Sequence, residues 1–280
     1  MKVIENIIKW INAEMEGPSN GGNLHILFTV GVVVVSALMV MKLRDADDGT
    51  FRILIGVMFG VMLVLEIIKQ VFTNMSVVDG EITFSYSWGQ LPFQLCSTPL
   101  YVLPFLSFLP DCRLRDFAAA YTMTVSLIGG IAVYLTPKTV ITTRIFSNIQ
   151  TLIHHGIQIV SGVYTAAYYR RRISRRFYFD GICVFAIMFV IANLLNTVGY
   201  DLLVANGLMA EGEPFNMFYI SPRADQPTPI LSDLFKGLPP VIYIMGYFVF
   251  VSFGALIIMY FTNYVYRISK RRREMRLKSR

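Results

Sequence analysis

Seven runs of about 20 mostly apolar residues divide the chain, and they restrict its fold more than any other feature. A helix of about 20 residues crosses the hydrocarbon core of a bilayer while satisfying its own backbone hydrogen bonds. The pattern therefore predicts an all-α, polytopic membrane helical bundle with seven transmembrane helices. The predicted spans cover about 24–43, 51–72, 91–109, 115–135, 146–169, 178–200 and 239–266.

The composition agrees with a chain that lies in lipid. Of its 280 residues, 55% are hydrophobic and only 15% are charged, whereas a soluble domain carries about a quarter charged residues. The net charge of +7 does not indicate nucleic acid as a partner, because the basic residues flank the apolar runs. Cys96, Cys112 and Cys183 lack the close spacing typical of zinc sites. We expect neither a metal nor another cofactor.

The distribution of lysine and arginine predicts the orientation of the bundle. With seven spans, one side of the membrane receives 18 of the 25 basic residues and the other side receives seven. Cytoplasmic loops carry the excess of basic residues in membrane proteins. The amino terminus is therefore predicted outside and the carboxyl terminus in the cytoplasm. This pattern is typical of a multi-pass protein of the cell membrane.

The chain divides into an amino-terminal segment, a membrane domain and a basic tail. Residues 1–23 contain an amphipathic stretch, with one apolar side and Trp10, that predicts an interfacial helix. Residues 24–266 form the seven-helix domain, and residues 267–280 form a cytoplasmic tail. The long external loop 201–238 is typical of a functional cover or a disordered segment. Its prolines are Pro214, Pro222, Pro227 and Pro229, and the oligomeric state stays open.

Polar residues inside the predicted spans fall at a similar depth. At 1.5 Å per residue, Glu66, Cys96 and His154 lie roughly 8–13 Å below the outer end of their spans. Asn193 and Asn196 lie roughly 6–10 Å below the outer end of span six. Polar side chains are costly in hydrocarbon, so their shared depth indicates a functional site in the outer half of the membrane.

Helical spacing indicates which polar residues face the bundle interior. Span five carries one stripe: Thr151, His154, Gln158, Ser161 and Thr165. His155 lies about 100° from that stripe, so His154 is the preferred inward-facing imidazole. Two further stripes consist of Asn193, Asn196, Thr197 and Tyr200 on span six, and Glu66, Lys69 and Gln70 on span two. Each stripe must face the bundle interior or a cavity, since none can face lipid.

The segment "SWGQLPFQLCSTPLYVLPF" places a thiol near the predicted start of span three. Pro92 suits the first turn of a helix, where its missing N–H costs nothing. Cys96 would then lie one turn into the helix, near the positive end of the dipole. Pro99 would leave the carbonyl of Leu95 without a donor and bend the helix beside the thiol.

A cysteine at a helix start and a histidine at the same depth favour a thiol nucleophile and its base. Cys96 and His154 are the candidate catalytic pair. Glu66, Asn193 or Asn196 could orient the imidazole. Backbone N–H groups of the segment, with Gln94 or Asn193, could hold an oxyanion.

Other interpretations of the same residues stay open. A single buried cysteine is usually a small apolar residue, and Glu66 with Lys69 could form a structural ion pair. A transporter or lipid-binding protein could line a polar pathway with Glu66, Lys69, His154 and Asn196. Seven spans also fit a scaffold or receptor. The thiol separates these classes, because a permeation pathway does not require one.

Three short motifs resemble the YwaF family of integral membrane proteins. They are "LPFQLCS" in span three, "LIHHG" in span five and "NMFYISP" in the long loop. A eukaryotic relative of that family is transmembrane protein 164, a lipid acyltransferase. The resemblance implies an acyltransferase of phospholipids or lysolipids that uses Cys96 and His154 and forms a thioester. The supporting candidates are His155, Glu66, Gln94, Gln158, Asn193 and Asn196.

The predicted position of the site restricts the acyl donor. Acyl-CoA is a cytosolic donor, and a site in the outer half of the membrane is poorly placed to receive it. This position favours transfer from another lipid, or hydrolysis of an acyl ester.

Overall fold

The computed structural model describes residues 2–15, 22–224 and 233–278, and most of these are helical. The helices are α1 Lys2–Ile11, α2 Asn23–Leu43, α3 Asp48–Phe72, α4 Pro99–Phe108, α5 Arg113–Tyr121, α6 Leu127–Leu135, α7 Ile145–Tyr169, α8 Arg175–Leu194, α9 Tyr200–Ala205 and α10 Pro240–Lys278. One turn of π-helix joins α5 to α6, and another joins α8 to α9. Pro227 and Pro229 of the predicted external loop lie outside the described residues.

Within the described residues, five helices are long and apolar enough to cross a membrane. They are α2, α3, the continuous α5–α6 and α8–α9 helices, and α10. A multi-pass membrane protein is thereby confirmed, while the number of seven spans and the orientation stay predictions. Helix α7 also has 25 residues, but a row of polar side chains lowers its hydropathy. The helical segment Leu95–Phe108, at about 21 Å, is shorter than the hydrocarbon core.

The predicted roles of two prolines in span three are wrong. Pro92 lies in a non-helical segment, and the first helical turn there is the 3₁₀ turn Leu95–Ser97. Pro99 opens α4 and does not bend it. A proline suits this first position because the N–H it lacks would have no intrahelical acceptor. Cys96 nevertheless lies at a helix start, in the turn directly before α4.

Helix α7 lies in the middle of the bundle, where it packs against α2, α3 and α6. The predicted stripe of α7 is confirmed as buried from His154 to Thr165, and Thr151 is half-buried. His155 is buried as well, so burial does not select His154 over His155. Both imidazoles therefore belong to the interior of the bundle.

Ion pairs join the helix ends on one side of the bundle, which we call the arginine end. The pairs are Arg115–Asp48, Arg113–Asp180, Arg170–Asp45, and Arg172 with Asp111 and Asp116. Hydrogen bonding by Arg170 lowers the pKa of Asp45, and hydrogen bonding by Arg172 lowers the pKa of Asp111. The sequence analysis used the basic residues only to predict orientation, and it did not predict the structural role of Arg170 and Arg172.

The opposite side, which we call the cavity end, carries a β-hairpin that an all-α prediction omits. Strands β1 Met75–Val78 and β2 Glu81–Phe84 pair antiparallel. Helix α1 packs against β1 and α7, and its buried residues are Ile8 and Ile11. Only part of the predicted apolar side of α1 is buried, because Val3, Ile4 and Ile7 are exposed. Trp10 is also exposed.

Candidate active site

A cavity of about 600 Å³ opens at the cavity end of the bundle. Its walls come from α3, the turn before α4, α7, and the loop that follows α9. The residues that matter chemically are Glu66, Lys69, Gln94, Cys96, Arg144, Gln150, His154, His155, Asn216 and Tyr219. Five of the eight predicted site residues thus meet here; Gln158, Asn193 and Asn196 do not line the cavity.

Cys96 lies half-buried in the cavity wall as a free thiol. Leu95 and Cys96 open the 3₁₀ turn, whose first backbone bond runs from Ser97 N–H to Gln94 O at 2.9 Å. The first N–H groups of a helical turn have no acceptor within it. Those of Leu95 and Cys96 therefore lie at the start of the turn that carries the candidate nucleophile.

His154 contacts the residue that carries this thiol. Its Nε2 atom lies 3.1 Å from the backbone carbonyl oxygen of Cys96. A carbonyl only accepts hydrogen bonds, so Nε2 donates and Nδ1 holds the basic lone pair. Nδ1 is buried and has no hydrogen-bond partner among the described residues. The Cys96 carbonyl orients the imidazole, which corrects the predicted role of Glu66, Asn193 or Asn196.

His155 shows the opposite arrangement of its ring nitrogens. Its Nδ1 atom lies 2.7 Å from the carbonyl oxygen of Thr151, so Nδ1 donates and Nε2 holds the lone pair. Nε2 is buried and unpartnered within the described part of the chain. The rings of His154 and His155 lie 5.9 Å apart between centroids. Two adjacent residues that line the cavity therefore each keep one buried basic nitrogen.

Glu66 is a buried carboxylate that accepts hydrogen bonds from three side chains. The Lys69 ammonium lies 2.8 Å from it, and the side-chain amides of Gln70 and Gln150 donate to it at 2.7 and 3.2 Å. Such a set of donors compensates for the cost of burying the charge. Both charges line the same cavity as Cys96. The ion pair that the sequence left open is present.

We expect Glu66→Ala to destabilise the protein by about 3 kcal/mol, because it leaves the Lys69 ammonium without its carboxylate. The unfolding temperature in detergent measures this effect. Glu81→Ala is the matched control, since Glu81 is exposed on the hairpin. Equal unfolding temperatures for the two variants would show that the buried pair does not stabilise the fold.

The loop after α9 closes one side of the cavity, and Asn196 holds it in place. The Asn196 side-chain amide donates to Met217 O at 2.8 Å and accepts from Met217 N–H at 2.7 Å. Asn196 is fully buried, so both bonds lie away from water. Phe218 and Tyr219, which follow Met217, have φ angles of 57° and 59°. The clamp thus fixes a backbone conformation that non-glycine residues rarely adopt.

Gln94 also binds this loop. Its side-chain Nε2 donates to the backbone carbonyl of Asn216 at 2.8 Å. This bond uses one of the two N–H donors of the amide, so the role of Gln94 as an oxyanion donor stays a prediction for the other. Gln94 and Asn196 both position the wall that presents Asn216 and Tyr219.

Two predicted residues lie elsewhere. Gln158 is fully buried beneath the cavity, and its amide packs so closely on Gly129 that a β-carbon there would lie 3.0 Å from Nε2. Asn193 is half-buried on α8, and its backbone carbonyl accepts a bond from the Thr197 hydroxyl. Equal depth along separate helices did not bring these side chains to the cavity.

Sequence reasoning missed Gln150, Arg144 and Tyr219. Gln150 lies one turn before His154, so extending the polar stripe of α7 would have found it. Arg144 directly precedes α7 and was counted only for its charge. Tyr219 belongs to the motif "NMFYISP", and nothing in its local pattern indicates contact with α3, α4 or α7.

The comparison with known proteins gives one positive result. No curated protein and no solved structure matches the chain. The family model described as "TMEM164 family" matches residues 20–268. This range covers all three motifs, the cavity and every candidate site residue, and it confirms the resemblance to transmembrane protein 164. The chain belongs to the TMEM164 family.

Proposed function

We propose that the protein is a membrane-embedded acyltransferase of phospholipids or lysolipids, with Cys96 as nucleophile and His154 as its base. The observation that carries this proposal is the 3.1 Å bond between His154 Nε2 and the Cys96 carbonyl, inside a cavity of about 600 Å³. A nucleophile and a base must lie within hydrogen-bond reach, directly or after a small rearrangement. The bond holds both groups in one wall and leaves Nδ1 free to accept a proton.

The first half-reaction transfers an acyl group to sulfur. His154 Nδ1 takes the thiol proton as the Cys96 sulfur attacks the carbonyl carbon of a lipid ester. The backbone N–H groups of Leu95 and Cys96, at the start of the turn Leu95–Ser97, stabilise the negative oxygen of the tetrahedral intermediate. The C–O bond then breaks, His154 returns the proton to the leaving alcohol, and an acyl thioester remains on Cys96.

The second half-reaction removes the acyl group. The hydroxyl group of a lysolipid attacks the thioester carbon, loses its proton to a base in the cavity, and becomes the new ester. The C–S bond breaks, and the sulfur regains a proton. Water in place of the lysolipid would give hydrolysis, so exclusion of water favours transfer.

The charges around the cavity fit a phospholipid. Lys69 and Arg144 both line it, and Lys69 is paired with Glu66. Arg144 forms no ion pair among the described residues, so its guanidinium is available for a lipid phosphate. With the orientation predicted from basic residues, this end faces outward. A lipid ester then suits the site better than a cytosolic acyl donor.

An electrophilic acyl probe tests the proposal. Membranes containing the protein are treated briefly with the probe, and labelling of each cysteine is measured by mass spectrometry. We expect Cys96 to be labelled before Cys183, although Cys183 is the more exposed thiol. A base near Cys96 would explain that order, and His154→Gln should remove the preference. Labelling that follows exposure, with Cys183 first, would contradict the proposal.

A further inference from the structure

The two adjacent histidines of the cavity differ in which nitrogen is committed to a backbone carbonyl. His154 donates from Nε2 to Cys96, on another segment of the chain. His155 donates from Nδ1 to Thr151, on its own helix. The opposite nitrogens, Nδ1 of His154 and Nε2 of His155, are buried and unpartnered among the described residues. The structure therefore holds two imidazole bases, of which only one is tied to the thiol-bearing turn.

We propose that the two histidines divide the proton transfers, and that His155 is the base for the acceptor hydroxyl. His154 serves the thiol and the first leaving alcohol. His155 Nε2 accepts the proton of the incoming lysolipid or other lipid alcohol. This inference rests on the proposed function and assigns a second catalytic residue within it.

The other titratable side chains that line the described cavity are poorly suited to this step. The Glu66 carboxylate already accepts bonds from Lys69, Gln70 and Gln150. Lys69 is engaged in that same ion pair, and a tyrosine hydroxyl such as that of Tyr219 is a weak base at neutral pH. His155 lines the cavity, is 96% buried, and holds a lone pair on Nε2 that no described residue engages.

The two rings line the same cavity from adjacent residues of α7. Their centroids lie 5.9 Å apart, and only the ring of His154 is bonded to the residue that carries the thiol. An acyl group on Cys96 would lie beside His154 and leave His155 for the attacking oxygen. A base held in place before the acceptor arrives contributes about 100-fold or more to such a step.

The step balances without a further reactant. The acceptor O–H bond breaks as its oxygen bonds to the thioester carbon, and the proton goes to His155 Nε2. The tetrahedral intermediate then expels the sulfur, which leaves with the electron pair of the C–S bond. The thiolate regains a proton from the His155 imidazolium, so Cys96 and both histidines return to their starting states.

A comparison of single-histidine variants tests this division. Purified wild type, His154→Gln, His155→Gln and His25→Gln are mixed with a phospholipid that carries an isotope-labelled acyl chain and with a lysolipid. Acyl-Cys96 and the transfer product are measured by mass spectrometry over time. His25 is the matched control, because its Nε2 bonds to the Tyr134 carbonyl away from the cavity.

For His155→Gln we expect acylation of Cys96 at the wild-type rate, accumulation of the thioester, and product formation reduced about 100-fold. His154→Gln should form no thioester, and His25→Gln should match wild type in both steps. Added imidazole should restore product formation to His155→Ala, which a merely structural defect would not show.

Two results would overturn the inference while leaving the proposed function intact. One is product formation by His155→Gln at the wild-type rate. The other is loss of acylation in His155→Gln as complete as in His154→Gln, without rescue of His155→Ala by imidazole. A wild-type protein that forms neither thioester nor product would instead refute the proposed function, and with it the role of His155.

Discussion

Replacing Cys96 with alanine is expected to abolish acyl exchange, with a loss of about 1,000-fold or more. The reason is that without the sulfur no thioester forms, and neither half-reaction can proceed. The measurement is the movement of a labelled acyl chain from phospholipid to lysolipid in vesicles that contain the purified protein. His154→Ala should give a comparable loss, because residues that act as a unit lose most of their effect when either is removed.

Two further variants make this result specific. Cys112→Ala is the matched control, since Cys112 lies at the start of α5 at the arginine end and should not affect exchange. Cys96→Ser separates an enzyme from a transporter or lipid-binding protein, because a hydroxyl is a far weaker nucleophile of nearly the same size. Exchange that persists in Cys96→Ala would eliminate the thiol mechanism.

Asn196→Ala is expected to lower the free energy of unfolding by about 2 kcal/mol, because it leaves the buried N–H of Met217 without a partner and removes one of the two donors to its carbonyl oxygen, the other being Ile220 N–H. Acyl exchange should fall with it, since the loop that Asn196 clamps forms one wall of the cavity. The unfolding temperature and limited proteolysis within residues 206–224 measure the two consequences. Cleavage should become faster as the loop detaches.

Asn206→Ala is the matched control for this change. Asn206 is exposed, and within the described part of the chain its side chain donates only to Leu202 O in the preceding turn. Its replacement should change stability by about 0.5 kcal/mol at most. If Asn196→Ala and Asn206→Ala have the same unfolding temperature and the same rate of cleavage, the clamp does not position the loop.

Hydropathy located the helices because each apolar run must cover a fixed thickness of hydrocarbon. Local patterns predicted the helix ends less well. The sequence favoured Pro92 as the start of the helix in span three, whereas α4 begins at Pro99. The sequence also contains a turn signal for the β-hairpin. Asp79 and Gly80 both have positive φ in its turn, and this dipeptide between two short β-prone segments predicts a two-residue hairpin loop.

Glu66, Cys96 and His154 line one cavity, as their shared depth predicts, because the rise per residue of a helix is constant. Depth does not determine the rotation of a helix or its neighbours, which explains why Asn193 lies away from the cavity. The wall formed by residues 214–219 depends on long-range bonds such as Asn196 to Met217. Such contacts leave no local periodicity in the sequence.

Direct detection of an acyl group on Cys96 is the measurement that most sharply tests the thiol mechanism. The purified wild-type protein is incubated with a defined phospholipid in the absence of lysolipid, quenched in acid, digested and examined by mass spectrometry. The mechanism predicts a mass increase equal to the donor's acyl group on the peptide with Cys96, removable by hydroxylamine. No acyl group on Cys96, or equal acylation of Cys112 and Cys183, would contradict it.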